Sequence, residues 1–243
     1  MLIVNADDWG RSRAETDAAM ACHARGTVTS VSAMVFMEDS ERAADVAKGV
    51  GLDVGLHVNF TQEFTSNGAA ARLRDYQDRL ARFLKRSKYA LVLYHPLLRE
   101  HFRYVYQMQA DEFVRLYDGP PSHVDGHQHM HLCSNMLFDG IIPPGQRVRR
   151  SFSFWPGEKN FINRTYRRFV DKLLSRRFRL TDYFFALSHC LRNGCMKRVE
   201  NLAKAASVEL MTHPAKTEEF NWLTSTACFT TKEHLQMGNY TML

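Results

Sequence analysis

A parallel α/β fold, either an open sheet or a closed barrel, is predicted by three observations. Apolar, β-branched runs alternate with segments of helical period through the first quarter of the chain. Their helical spacers of ten to fourteen residues suit crossover connections rather than hairpins. The polar groups able to do chemistry fall just after the apolar runs, where the C-terminal strand ends of such folds converge. The 243 residues, 45% hydrophobic and 24% charged, suffice for one large core, so a single domain over 1–243 is expected.

Ile3-Val4-Asn5-Ala6-Asp7-Asp8-Trp9-Gly10 reads as a buried strand that delivers two adjacent acids to its end. Ser12 and Glu15 have capping-box spacing for a helix running to Arg25, which Gly26 ends. Val28–Phe36 is a second strand. Asp39 and Ser40 precede an Ala-rich helix to about Lys48, and Val54–Phe60 is the third strand. The polar stretch from Asn59 to Arg72 has no periodicity and is a candidate substrate loop. Helices are expected over 73–88 and 97–117, broken near His95-Pro96 and stopped by Asp118-Gly119-Pro120-Pro121. A short strand at Ser122–Val124 leads into His123-Val124-Asp125-Gly126-His127-Gln128-His129-Met130-His131, where four of the chain's eleven histidines fall within nine residues. The segment from His131 to Arg147 is short for a full crossover helix. A strand at 147–154, a helix at 160–177, a strand at 181–187, a helix at 195–206 and a strand at 208–211 follow, with at most a short helix after Thr231. In the 160–177 helix, Ile162, Tyr166, Phe169, Val170 and Leu173 are expected to form the core face, with Arg164, Arg167, Arg168 and Arg176 largely opposite.

Adjacent carboxylates at a strand end repel and lose hydration, which is relieved if one binds a cation and the other handles a proton. The plainer reading is that one of them caps the following helix. His57 lies inside an apolar strand, where a lone histidine is commonly a hydrogen-bonded core residue. On an extended strand His127, His129 and His131 would share one face, which leaves open which of them would bind a ligand; His123 would pack beneath. Asp125 would orient a ligating imidazole or merely make the turn with Gly126. His213, before Pro214, would be functional or a simple strand terminator. A carboxylate with two histidines suits one catalytic divalent ion with open positions, zinc or, less readily, magnesium or manganese.

Asn5-Ala6-Asp7-Asp8-Trp9-Gly10, Gly55-Leu56-His57, His123 through His131 and Glu209-Leu210-Met211-Thr212-His213-Pro214, in that order, resemble the motifs of the YdjC-like family of carbohydrate deacetylases. The resemblance implies a distorted (β/α) barrel of parallel strands, polysaccharide-deacetylase-like. It implies a Mg or Zn ion on Asp8, His57 and His127, Asp7 as catalytic base and His213 as general acid. The substrate would be an N-acetylated sugar or glycolipid. From their places in the sequence, Asn59, Asp125, His129 and His131 are candidate substrate contacts or supports of the site, and one of Arg149 and Arg150, on the expected strand at 147–154, would reach the cleft to orient Asp7 or a sugar. The two acids can also exchange roles.

The net charge of +6 is uneven, with eleven Lys/Arg and two acids between Arg147 and Arg179. This segment would meet an acidic or lipid-linked substrate or an anionic membrane, or would be only the solvated outer face of a barrel helix. No nucleic-acid motif is present, so none is expected as partner; a homodimer is compatible with the sequence. Five scattered cysteines without a C-x-x-C pair, and no signal-peptide or membrane-spanning pattern, lead to an expected cytoplasmic location. A metal-dependent phosphoesterase and a non-catalytic carbohydrate-binding relative are the rival readings.

Overall fold

The computed structural model describes residues 1–87, 89–226, 228–229 and 235–243. The chain runs β1 (Leu2–Trp9), α1 (Arg13–Ala24), β2 (Ser30–Ala33), α2 (Ser40–Val50) and β3 (Asp53–Val58), the expected β-α-β-α-β start. Then come α3 (Ala71–Lys85), α4 (Arg99–Tyr117), β4 (Val124–Gly126), α5 (Ser134–Phe138), α6 (Phe161–Ser175), β5 (Tyr183–Ala186) and α7 (Leu187–Arg192). The chain continues through α8 (Met196–Ala203), β6 (Val208–Thr212), α9 (Thr217–Thr224) and β7 (Met237–Gly238). Every strand pairing is parallel, and the order is β4-β3-β2-β1-β6-β5, with β7 also on β1. β1 is central and all eight of its residues are buried, as a parallel strand covered on both faces requires. The strand order reverses beside it, which is where the C-terminal ends of a parallel sheet open a crevice.

The regular strands leave a gap between the β4 and β5 edges, and the chain from Gln146 to Ser153 spans it irregularly. Val124 N–H donates to the Arg147 carbonyl and the Val124 carbonyl accepts from Arg149 N–H, Val148 N–H donates to the Arg179 carbonyl, and Ser153 N–H donates to the Phe184 carbonyl. The expected strand at 147–154 is therefore a set of isolated bridges. This gives the half-barrel its distorted form: one extended segment must bond to edges too far apart for a regular ladder.

Local differences from the sequence reading have physical causes. Ser12 flanks α1 without capping a backbone N–H; its hydroxyl instead donates to the Glu15 carboxylate. β4 stops at Gly126, and 127–132 winds as 3-10 turns with Gln128 and His129 at positive φ, so the three later histidines do not share a strand face. In α6 the buried residues are Val170 and Leu174, whereas Phe161, Ile162, Tyr166 and Phe169 are exposed. The expected core stripe is thus rotated off the core by about one residue's turn, roughly 100°. Residues 231–234 of the expected tail helix lie outside the described residues; beyond them are β7 and a single 3-10 turn, Tyr240–Met242. Gly55 is required by close approach: a Cβ there would lie 2.2 Å from the His123 ring, which stacks on Tyr240 at 3.6 Å.

Candidate active site

Successive residues of a strand point to opposite faces, so Asp7 and Asp8 should diverge. A bulge prevents this. β1 advances from Ala6 to Trp9 while β2 advances from Val31 to Ala33, and Asp8 takes φ +65°. Left-handed backbone is tolerated by aspartate better than by most side chains. Both carboxylates consequently converge on His57: ligand atoms of Asp8, His57 and His127 lie within 4.8 Å of one another, and so do those of Asp7, His57 and Asp125.

The two triads differ in what already occupies them. Arg149, fully buried, grips Asp7 with two parallel bonds of 2.8 and 2.6 Å, reaches Asp125 Oδ2 at 2.6 Å and donates from Nε to Glu209 at 2.7 Å. Asn5 Nδ2 adds a 3.0 Å bond to Asp7. The guanidinium therefore fills the Asp7 side of the cluster. On the other side Asp8 Oδ1 faces His127 Nδ1 at 3.0 Å and His57 Nε2 at 3.5 Å, while Arg11 holds Oδ2 at 2.7 Å. His57 Nδ1 bonds Asp125 at 2.8 Å, and Asp125 also accepts from the Ser32 hydroxyl at 2.8 Å. Hydrogen bonding of Nδ1 to a carboxylate is the arrangement that presents Nε2 as a ligand.

Electrostatics follow from this crowding. Burial alone would raise the carboxyls of Asp7 and Asp125, but Arg149 reverses this and both lie below the usual range. Asp8 is lowered as well: burial opposes ionisation, and the His127 hydrogen bond with the charge of His57 outweighs it. Burial would lower His57, yet Asp125 and Asp7 raise it to about 9. Glu209 is raised to about 7 by burial, with Arg149 only partly compensating. Three acids, Asp7, Asp125 and Glu209, thus meet one buried guanidinium, and Asp8 with its Oδ1 toward two imidazoles lies on the side that Arg149 leaves open. Asp8, His57 and His127 fit a divalent metal by donor chemistry, separation and charge.

His213 follows β6 and its Nδ1 is buried without a hydrogen-bond partner. Burial lowers its pKa, while Asp7 and Asp8 act on it in the opposite sense. Its backbone N–H donates to Glu219 at 2.7 Å, which fixes the loop entering α9. The other expected residues take different places. His131 is buried with Nε2 at 3.0 Å from the Arg149 carbonyl, and packs where a Cβ on Gly126 would strike its backbone. Burial lowers His131 to about 4 and His129 to about 3. His129 sits edge-on to Phe152 at 4.5 Å, lining a cavity beside the site. Asn59 builds its own loop, accepting from the N–H groups of Thr61 and Gln62. Arg150 turns away to Asp171 at 2.6 Å and to the Thr181 and Asp182 carbonyls. Sequence reasoning missed Glu209, Ser32 and Arg11; a glutamate amid Val208-Glu209-Leu210-Met211 was the one legible signal, since a strand interior seldom holds an acid without a buried partner.

A family model described as YdjC-like protein matches residues 1–238. Among curated relatives, a chitooligosaccharide deacetylase of Proteus mirabilis is 33% identical over 146 residues, covering 56% of this chain and 52% of that protein. A second chitooligosaccharide deacetylase, from Serratia marcescens, is 33% identical over 133 residues, so the match spans about half of each of these relatives, 52% and 51%. A carbohydrate deacetylase of Mus musculus is 27% identical, with 88% of this chain and 77% of that protein covered. Among solved structures, a putative cellobiose-phosphate cleavage protein of Enterococcus faecalis V583 superposes with a TM-score of 0.69 at 16% identity, covering 99% of this chain and 97% of that one. That likeness concerns the fold: a sheet of parallel strands curled into a half-barrel.

Proposed function

This chain belongs to the YdjC-like family, and from that premise we propose that it is a hydrolase removing the acetyl group from an N-acetylated amino sugar, of chitooligosaccharide or glycolipid type. The observation that carries the reading is the asymmetry of the doublet: Arg149 commits both oxygens of Asp7, while Asp8 faces two imidazoles. Asp8, His57 and His127 would hold one divalent ion, magnesium or zinc. When bound, that ion supplies Lewis acidity toward the acetyl carbonyl and acidifies an adjacent water.

Asp7 takes the proton of the attacking water. Its lowered pKa keeps it ionised at neutral pH; Oδ1 already accepts from both Arg149 and Asn5, so Oδ2, which accepts from Arg149, is the oxygen with a lone pair left for the proton. The same bidentate grip fixes the carboxylate's orientation, which is worth more to proton transfer than a mobile acid of equal basicity. His57 and Asp125 act as one unit, in which the 2.8 Å bond sets the imidazole plane. His213 is assigned the proton delivered to the departing amine. Burial favours its neutral form in the resting site, so the proton it delivers is the one Asp7 takes from the water, passed on to His213 before the amine departs.

A binuclear phosphoesterase would need a second cation among Asp7, His57 and Asp125, and Arg149 already fills that group. The test is a pair of variants. Asp7→Asn should bind metal like the native protein and lose acetate release, whereas Asp8→Asn should lose metal. If Asp7→Asn loses the metal and Asp8→Asn keeps it, the two roles are exchanged.

A further inference from the structure

Helix α6 carries two apolar stripes, and only one is covered. Val170 and Leu174 pack inward. About 100° round the helix, Ile162, Tyr166, Phe169 and Leu173 recur at helical spacing, and Ile162 is 77% exposed, Phe169 53% and Tyr166 39%. Phe161, at the first turn, is 78% exposed. Arg164, Arg168, Lys172 and Arg176 form the next row round the helix and its end. Asp171, the helix's single acid, is taken by Arg150 and Ser151.

The apolar surface continues beyond the helix. Leu91 and Val92 face Tyr166 and Val170 across a cavity of about 290 Å³, and the same segment adds Leu93 and Leu97, 55% and 80% exposed. A helix with a covered face, an uncovered apolar stripe and a flanking row of cations has the composition of an element that lies at a bilayer surface. We propose that α6 and residues 92–97 dock this protein on an anionic lipid surface. Apolar side chains enter the headgroup boundary while the Arg/Lys row neutralises acidic headgroups.

Charge chooses the occupant. Arg164, Arg168, Lys172 and Arg176 are all exposed, whereas Arg149 and Arg150 of the same basic segment are spent on acids within the fold. An anionic surface would attract this row of cations. A second copy docked on the same patch across a two-fold axis would set cation row near cation row, which is unfavourable. The proposal stands on this surface alone and not on the hydrolase reading.

The probe is co-sedimentation of the whole chain with phosphatidylcholine vesicles, with and without phosphatidylglycerol. Binding to the anionic vesicles should exceed binding to the neutral ones by about tenfold or more and fall with added salt. Ile162→Ser with Phe169→Ser, and separately Arg164→Gln with Arg168→Gln and Lys172→Gln, should each weaken binding about tenfold, with thermal melting unchanged because these side chains are exposed. Failure of the native chain to sediment with anionic vesicles, or native-like binding by Ile162→Ser/Phe169→Ser, overturns the proposal. So does a dimer in light scattering that this double variant dissociates, which would assign the face to a second copy.

Discussion

Replacing Arg149 with Gln should expose how much of the fold is organised around one guanidinium. The side chain is fully buried and holds Asp7, Asp125 and Glu209 at 2.6 to 2.8 Å. Removing it leaves three buried acids without their common cation, and breaking a buried ion pair costs roughly 3–5 kcal/mol. At roughly 2–4 °C of melting temperature per kcal/mol for a chain of this size, the loss is roughly 6–20 °C. The effect has a definite pH dependence. With Arg149 present, the folded pKa values of Asp7 and Asp125 lie below their unfolded values. The stabilisation they contribute is therefore full above the unfolded carboxyl pKa, about 3.9, and is lost as pH falls through the lower folded values. Without Arg149, burial raises those same carboxyls, so the variant is penalised most at neutral pH and recovers as they take up protons. Thermal melting by circular dichroism from neutral to mildly acidic pH, with chelator present, should show the gap between native and Arg149→Gln narrowing on acidification. A gap under 2 °C at neutral pH, or one independent of pH, would refute the account of the cluster.

Other expectations are narrower. Asp125→Asn removes the carboxylate that orients His57 through Nδ1, and metal affinity should fall about 10–100-fold in a competitive chelator titration; native affinity would mean that the bond does not position a ligand. Gly55→Ala drives a methyl into the His123 ring, which is stacked on Tyr240. It should cost about 1–3 kcal/mol or more in urea unfolding, and a loss below about 0.5 kcal/mol would show that the contact relaxes freely.

The early half of the fold was legible because its signals are local. Apolar runs of strand length, helix-length spacers and Gly26, which follows α1 at φ +69°, each act within a few residues. The candidate site was legible as a set of strand-end positions, and Asp7, Asp8, His57 and His127 do meet in space. What escaped depends on partners distant in sequence. Periodicity marks the apolar stripe of α6 without saying which neighbour arrives to cover it, and the covering residues meet Val170 and Leu174 instead. The 147–154 segment has strand composition but must span two edges, so only bridges form. Arg149 and Arg150 lie on one expected strand from which either would reach the cleft to orient Asp7, and the structure selects Arg149. Its burial follows from acids contributed by β1, β4 and β6, two of them 142 and 60 residues away along the chain. The left-handed turn at Asp8 has no sequence signature apart from the residue's tolerance for it.

The most direct measurement of the central claim is acetate release from N-acetylglucosamine oligomers and acetylated glycolipids by metal-stripped protein resupplied with zinc, magnesium, manganese or cobalt. The account predicts release that returns with a stoichiometric divalent ion and is absent in Asp7→Asn. Stoichiometric metal binding with no acetate from any acetylated sugar would contradict it: the Asp8–His57–His127 cluster would remain a metal centre, and the deacetylase assignment would fall.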